Sequence, residues 1–497
     1  MANNRNTWDN NVTFVLAMIG SAVGLANIWR YPYVLYSNGG GAFYIPYIVA
    51  IVVLAIPFLI LEYSVGFNFK SSFAKGITNI NPKFQFFGWF LPFVIFIMTI
   101  YYSVVIGWDG IYFILSFFKG WGPHPDVFLN ADVLHSSTNL LNITNIVPIV
   151  AISTIVVWFL VWFISHRNLM NGLGRISKIF VPLLFVTLFI IVGYSLTLPG
   201  AELGLNELFL PDWSLIFDFK IWMAAFGQIF FSLSLGIGAA FTFASYTKND
   251  IDIPKSTICV VLGNCIFENI AALGVFSILG YMAFNAGIPV SQIVSEGTGL
   301  IFIAYPTVFN ILGLFALVLG PLFFLTVYVA GLTSMLSSFE VLSSSIQDKF
   351  DLSRSKATTI LCLIGVVFAM IFATAPGDIL ITISDEFVNN ISLVIAVFLE
   401  SIIFAWMFNI QKIIGFVNER SAVNLGKIWV SLVKYVIPVL LIVIWVGGLA
   451  ETILGGIDTQ LIVLIVLAVI SFAVAFVLTW LPEKSEDWLN AEERLSE

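Results

Sequence analysis

The stretch FVLAMIGSAVGLANIWRYP, Phe14–Pro32, decides how the rest of the chain is read. It begins as an apolar helix and then places Gly20, Ser21, Gly24, Asn27 and Arg30 at the depth where a bilayer-spanning helix is normally most oily. Glycine weakens a helix by about 1 kcal/mol relative to alanine. An arginine near mid-bilayer costs about 2.5–3.5 kcal/mol even on the lenient insertion scale. Backbone inside a membrane unwinds only where it is buried in protein or lines a cavity. The stretch Gly20–Asn27 therefore reads as a break whose freed amides and carbonyls face a site, the competing reading being a kinked, tightly packed helix.

Composition sets the setting for this break. Of 497 residues, 59% are hydrophobic and 10% charged, with a mean hydropathy of +1.00. Apolar segments lie near 13–36, 42–67, 86–118, 147–165, 175–197, 221–246, 256–285, 309–346, 356–375, 386–409, 428–449 and 460–481, twelve in all. These are long enough to span a bilayer. Lys and Arg concentrate in alternate connections: Arg5, then 70–83, 167–178, 248–255, 349–356, 412–434 and 484–494, while the other connections hold Lys119 and Lys220. The positive-inside rule then puts both termini in the cytoplasm. The net charge of −8 resides in loops and tails and gives no reason to expect nucleic acid. Cys259, Cys265 and Cys362 all fall in apolar segments, against a disulfide framework. The polar start MANNRNTWDNN lacks the pattern of a removable signal peptide.

The sixth segment repeats the anomaly. In GQIFFSLSLGIGAAFTFASY, Ser232, Ser234, Gly236 and Gly238 sit mid-span, five segments after the first break. Interrupted helices at corresponding positions of two halves point to an inverted-repeat secondary transporter with its site at the midplane. The expected fold is therefore an all-α integral membrane protein of 12 spans with helices 1 and 6 unwound. Its parts would be a tail and first repeat over 1–197, an inverted second repeat over 198–410, and two further helices with a cytoplasmic tail over 411–497. The stretch 286–308 reads as a short re-entrant hairpin.

The remaining mid-membrane polar residues are Glu62, Tyr102, Asn264, Glu268, Thr333, Ser334, Asp385 and Glu400. Amide and hydroxyl oxygens beside unwound carbonyls suit a hard, weakly held cation such as Na⁺. Half-helix N-termini attract anions and free carbonyl ends attract cations, so one site can take an amino acid's carboxylate together with a sodium ion. No His/Cys cluster, HExxH helix or GxSxG elbow is present, which argues against an intramembrane hydrolase or any other enzyme.

SAVGLANIWRYPY, NGGGAFYIPY, Tyr101-Tyr102, GQIFFSLSLGIGA, ASY, NCIFENIAALGVFSILGY, GLIFIAYP and AGLTS occur in that order. Over about residues 5–480 the chain resembles the neurotransmitter:sodium symporters, including the bacterial leucine transporter. The resemblance implies two sodium sites. The first would use Ala22, Asn27, Ser232 and Asn264 with the substrate carboxylate; the second would use Gly20, Val23, Ala330, Thr333 and Ser334. The carboxylate would also meet the amides of Leu25 and Ala26 and the Tyr102 hydroxyl, and the ammonium would meet Ala22, Phe231, Ser232 and Ser234. Met98, Phe231, Ile237, Met335 and Ser338 would shape the side-chain pocket. Gly24 stands where monoamine carriers of the family have an aspartate, which favours an amino acid. Glu268 stands where chloride-dependent members have a small polar residue, which implies chloride-independent transport, with Tyr47, Gln228, Ser232 and Asn264 around Glu268 and proton exchange there as a further role.

The gates follow from the same resemblance. Arg30 with Asp385 would close an outer vestibule over Phe231 and Tyr102, and Arg5 with Asp348, supported by Trp8, Ser245 and Tyr246, an inner one. Glu62 and Glu400 read as helix contacts, whereas Asp109 and Glu340 receive no role. Ala26, Ser232 and Ile237 depart from the pattern of the leucine transporter and leave the substrate open. The implied activity is sodium-coupled symport of a neutral amino acid across the plasma membrane; a proton-coupled permease and a non-translocating sensor are the rivals. Oligomeric state stays open, a homodimer included.

Overall fold

The structure, a computed structural model, describes residues 7–293, 299–454, 459–485 and 488–489. The described residues form helices throughout, in the order α1 (Asn11–Ala22), α2 (Ala26–Ser37), α3 (Gly40–Phe69), α4 (Phe73–Ile80), α5 (Pro82–Ser116), α6 (Pro148–Ser165), α7 (Met170–Ser195), α8 (Ala201–Phe209), α9 (Phe219–Ser232), α10 (Ala239–Ala244), α11 (Ile253–Ala286), α12 (Ile301–Ile311), α13 (Gly313–Phe350), α14 (Arg354–Phe372), α15 (Gly377–Met407), α16 (Ile410–Arg420), α17 (Lys427–Gly447) and α18 (Gln460–Trp480). Ten of these are long and apolar enough to cross a membrane, and the bent pair α1–α2 makes an eleventh. The remaining apolar segment, the sixth (221–246), is divided between α9 and α10, each too short to span alone.

Exposure follows from the solvent these helices expect. Val156, Phe159 and Phe163 on α6, Val367 and Phe368 on α14 and Val469, Phe472 and Phe476 on α18 are exposed apolar side chains in rows, as a lipid-facing surface requires. The inner faces are buried and include polar groups that a soluble core would seldom hold, among them Glu62, Asp109, Glu268, Glu340 and Glu400.

The site is positioned by a few contacts. α5 runs along α13, and α1 is clasped by α7, α11 and α13, while α2 packs on α11 and α9, and α10 on α3. The two broken helices thus pack directly on each other, α1 on α10 and α2 on α9, with α11 and α13 against the first of them. Close approaches need glycine at particular points: a Cβ on Gly66 of α3 would stand 2.2 Å from the Phe241 carbonyl oxygen on α10. Of the expected re-entrant hairpin at 286–308, the described part contains the start of the short apolar helix α12, whereas 294–298 lie outside the described residues.

Candidate functional site: the two helix breaks

α1 starts on an Asn10 side chain that accepts the Thr13 N–H, and it stays helical through Gly20 to Ala22. The expected break over Gly20–Asn27 is in fact confined to Val23–Leu25, after which α2 leaves at 61°. Gly20 stays helical because its missing side chain lets neighbours in: a Cβ there would lie 3.0 Å from Val181 Cγ2 and 3.4 Å from Thr333 Cβ. Several of the freed groups are hydrogen-bonded. Gly24 N–H donates to Asn27 Oδ1 at 2.9 Å and Leu25 N–H to Tyr102 Oη at 3.3 Å. The Ser21 carbonyl accepts from Ser334 Oγ at 3.1 Å and Ser234 Oγ at 3.3 Å, and the Val23 carbonyl from Ser334 Oγ at 3.2 Å.

The second break spans residues 233–238. Ser234, Gly236 and Gly238 have φ of 51°, 66° and 76°, the left-handed region that glycine enters without steric cost. The freed Gly236 N–H donates to Glu62 Oε2 at 3.4 Å. Glu62 therefore does more than join helices, because it positions the unwound strand from α3. A Cβ on Gly236 would also fall 2.0 Å from Val397 Cγ2, so α15 holds the same strand from the other side.

Between the breaks lies a buried polar cluster. Asn27 Nδ2 donates to Asn264 Oδ1 at 2.9 Å and to Glu268 Oε2 at 3.3 Å; Asn264 Nδ2 donates to Ser232 Oγ at 3.1 Å, and Gln228 Nε2 to Glu268 Oε2 at 3.2 Å. Tyr47 Oη donates to Glu268 Oε1. All six of these side chains are at most 3% exposed. The spacing Asn264, Glu268 on α11 puts both on one helical face, and α2, α3 and α9 bring the rest to it. Nearby, Thr333 Oγ1 donates to the carbonyls of Val329 and Ala330 at 3.1 and 3.0 Å, one residue before Ser334. Two groups of neutral oxygens thus flank the first break, one built on Asn27, Asn264 and Ser232, the other on Val23, Thr333 and Ser334. Such donor sets suit a sodium ion and not a transition metal. Among the described residues there is no cluster of His, Cys, Asp and Glu able to hold a metal.

The pocket residues differ in exposure in a way that gives the site a direction. Ile237, Met335 and Ser338 are buried, whereas Ala26, Met98, Tyr102, Phe231, Ser234 and Ser334 are partly exposed. Toward the α2 end the Arg30 guanidinium lies 4.3 Å from the centre of the Phe231 ring. Asp385 is exposed there and accepts from Tyr101 Oη at 2.8 Å and Asn389 Nδ2 at 2.7 Å. The opposite end is closed. Trp8 is 1% exposed, its backbone N–H donating to the Tyr246 carbonyl and its Nε1 to the Phe243 carbonyl, each at 2.8 Å. Asp348 accepts the Ser72 N–H at 2.7 Å, and Ser245 is buried. Arg5, the expected partner of Asp348, lies outside the described residues.

This closed end contains a pair that the sequence reading did not assign. Tyr246 Oη donates to Glu340 Oε1 at 2.8 Å, and Arg354 donates to Glu340 Oε1 and Oε2 at 2.6 and 2.7 Å and through Nε to the Ser165 carbonyl at 2.8 Å. Arg354 counted as a loop cation in the sequence; its side chain is 12% exposed. A carboxyl inside the apolar run 309–346 followed by an arginine just past the next turn was the available signal. Nearer the surface, Lys178 donates to Asp9 and holds its carboxyl below the usual carboxylate range.

The comparisons agree with this architecture. The sodium:neurotransmitter symporter family model matches residues 5–132 and 123–454. An uncharacterised sodium-dependent transporter of Methanocaldococcus jannaschii is 38% identical over 437 residues, covering 88% of this chain and 89% of the relative. The sodium- and chloride-dependent neutral and basic amino acid transporter B(0+) of Homo sapiens is 28% identical, with 90% and 80% covered, and the sodium-dependent serotonin transporter of Drosophila melanogaster is 25% identical, with 89% and 76% covered. Among solved structures, MhsT in complex with L-phenylalanine aligns at a TM-score of 0.73 and 26% identity, over 89% of this chain and 100% of that one. With its multi-helix membrane architecture, its two broken helices and a matched region that takes in both breaks, the chain is a sodium-coupled transporter, not an enzyme, and belongs to the sodium:neurotransmitter symporter family.

Proposed function

We propose that the protein is a sodium-coupled symporter of a neutral amino acid, working by alternating access and independent of chloride. The observation that carries this reading is the Glu268 carboxyl, buried in contact with Asn27, Gln228 and Tyr47 and sharing the face of Asn264. A fixed carboxyl beside one cation group supplies the negative charge that a bound chloride would otherwise supply. The first sodium would be held by the Ala22 carbonyl with Asn27, Ser232 and Asn264, and the second by the carbonyls of Gly20, Val23 and Ala330 with Thr333 and Ser334.

The substrate class is supported by Gly24. A Cβ there would stand 2.9 Å from Ser334 Oγ and 3.4 Å from Tyr102 Oη, so a side chain would have to push the Ser334 hydroxyl aside, and glycine supplies no carboxylate to balance an amine lacking one. The carboxylate must then come with the substrate. It would take the amides of Leu25 and Ala26 and the Tyr102 hydroxyl, which already bonds Leu25 N–H, at the N-terminus of α2, where the helix dipole favours an anion. The ammonium would face carbonyls near Ala22, Phe231 and Ser232 and the hydroxyl of Ser234. The pocket wall would comprise Met98, Phe231, Ile237, Met335 and Ser338. MhsT, which binds L-phenylalanine, is consistent with this class.

In this reading the exposed Asp385 end is outer and the closed Trp8 end is inner. Both termini are cytoplasmic, the membrane is the plasma membrane, and the two breaks belong to inverted repeats of five helices, over 1–197 and 198–410. Arg30 and Asp385 would close over Phe231 and Tyr102 when substrate is bound; Trp8, Tyr246 and Asp348, with Arg5, would open the other end. Two sodium ions falling through about 100 mV and a tenfold gradient supply about 7 kcal/mol, enough to concentrate a zwitterion roughly 10⁵-fold. The test of the Glu268 assignment is equilibrium binding of labelled neutral amino acids in sodium, with chloride or gluconate as anion. Wild type binds equally in both; Glu268→Ser binds only with chloride. Chloride dependence in the wild type would overturn the assignment.

A further inference from the structure

Four buried carboxyls near the core have identifiable company: Glu268 has three donors, Glu340 has Arg354, Glu62 has the Gly236 amide, and Glu400 lies against Glu62. Asp109 on α5 has none. Its exposure is 0%, and neither Oδ1 nor Oδ2 has a hydrogen-bond partner among the described residues.

The position is specific. Asp109 follows Tyr102 by seven residues, which puts it on the same helical face about 10.5 Å further along α5. Between them, Ile106 fills the layer against Gly331 and Leu25: a Cβ on Gly331 would lie 2.9 Å from Ile106 Cγ1 and 3.4 Å from Leu25 Cδ2. Next to Asp109, Gly110 lets the Tyr328 ring of α13 approach, its would-be Cβ 3.1 Å from Tyr328 Cε2. The face of α5 that carries Asp109 is therefore locked against Tyr328–Gly331, directly before Thr333 and Ser334. The titratable groups within electrostatic reach are Tyr102 on its own helix and Tyr328 on α13, with Tyr112 one turn further along α5. On the flank of α6, Gly107 meets Ser153 and Thr154, which carry no charge. Asp385 on α15 is engaged by Tyr101, and Arg30, the charge on α2, lies over Phe231.

An ionised carboxylate in such a place would have lost water without gaining a donor or a counter-charge, the costliest state a buried acid can occupy. We propose that Asp109 is a proton-binding site: it carries a proton in the conformation closed at the Trp8 end and releases it when the Ile106–Leu25–Gly331 layer separates and water reaches it. The proton is then a component of this conformation, coupled through α13 to the hydroxyls of Thr333 and Ser334. The sign follows by linkage. Raising the pH favours conformers in which Asp109 is ionised, so occupancy of the closed-end form falls by up to about tenfold per pH unit above the titration point for one linked proton.

The coupling rests on the alternating-access reading, but the site itself can be tested without transport. Infrared difference spectra of the full chain in lipid and sodium, wild type against Asp109→Asn, should contain a protonated-carboxyl C=O band that the substitution removes and Glu268→Gln leaves in place. A carboxylate band assigned to Asp109, or no band lost, would overturn the proposal. In parallel, sodium-dependent uptake should decline with rising pH in wild type and stay flat in Asp109→Asn; a flat wild-type profile, or an unchanged decline in Asp109→Asn, refutes the coupling. Should the variant fail to fold, hydrogen–deuterium shifts of the same wild-type band on sodium addition give the readout. A persistent band with no uptake from wild type would sink the transport reading and spare the site.

Discussion

A single methyl group at Gly24 should weaken sodium binding by pushing aside a proposed ligand, the Ser334 hydroxyl, without removing it. The Cβ of Gly24→Ala would stand 2.9 Å from Ser334 Oγ, closer than a carbon and a hydroxyl oxygen tolerate, so the hydroxyl must turn away. It is held by the carbonyls of Ser21 at 3.1 Å and Val23 at 3.2 Å. The hydroxyl has one hydrogen, shared between these two carbonyls, so losing this bond costs about 0.5–1.5 kcal/mol in the geometry of this oxygen group. At 1.4 kcal/mol per decade, the half-saturating sodium concentration should rise roughly 2- to 12-fold. The assay is sodium titration of amino-acid binding at saturating substrate, with Gly227→Ala as control, since a Cβ on Gly227 meets nothing within 4 Å. The control should be neutral or gain up to about 1 kcal/mol in stability from helix propensity. A Gly24→Ala protein whose sodium dependence stays within about twofold of wild type, a difference below 0.5 kcal/mol, would refute the placement of Ser334 at the second cation group.

Other consequences test the frame around the site. Replacing Arg354 by Met leaves the Glu340 carboxyl, 1% exposed, with the Tyr246 hydroxyl and no counter-charge; unfolding should become easier by about 3–5 kcal/mol, and Met at both positions should recover much of it. Gly236→Ala combines a φ of 66° with a 2.0 Å overlap on Val397 Cγ2 and should abolish binding. Val397→Ala in that background removes the two nearest clashes and leaves the Cβ of residue 397 at 2.8 Å with a backbone cost of about 1–2 kcal/mol, read as partial recovery of melting temperature. For Asp9 the sign is that of a lowered carboxyl: the contribution of its Lys178 pair is present above about pH 4 and is lost as the pH falls through the lowered value. Both side chains are about two-fifths exposed, so Asp9→Asn should change stability at pH 7 by less than about 1 kcal/mol.

Much of this was legible in the residues because a membrane punishes exceptions. Gly24, Asn27 and Arg30 in one span, and Ser232 to Gly238 in another, could be located without any structure, since each contradicts the oily run around it. The limits of the first break were not: Gly20 looks like part of the unwound stretch but stays helical, because its role is to admit Val181 and Thr333. Nor was the contact from Glu62 to the Gly236 amide, or that from Arg354 to Glu340. Both join residues from different helices, and the pairing of a buried carboxyl is a tertiary fact that periodicity does not encode. Asp109 is the plainest case, since neither of its carboxyl oxygens has a hydrogen-bond partner among the described residues and, unlike Glu400, it has no second carboxyl against it.

The most direct measurement of the central claim is uptake of labelled neutral amino acids by proteoliposomes holding the full chain, under an inward sodium gradient against potassium, with and without chloride. The account predicts accumulation with sodium alone, indifferent to chloride, and lost in both Asn27→Ala and Thr333→Ala. Saturable binding without accumulation under any gradient, or accumulation that follows a pH gradient in the absence of sodium, would contradict it.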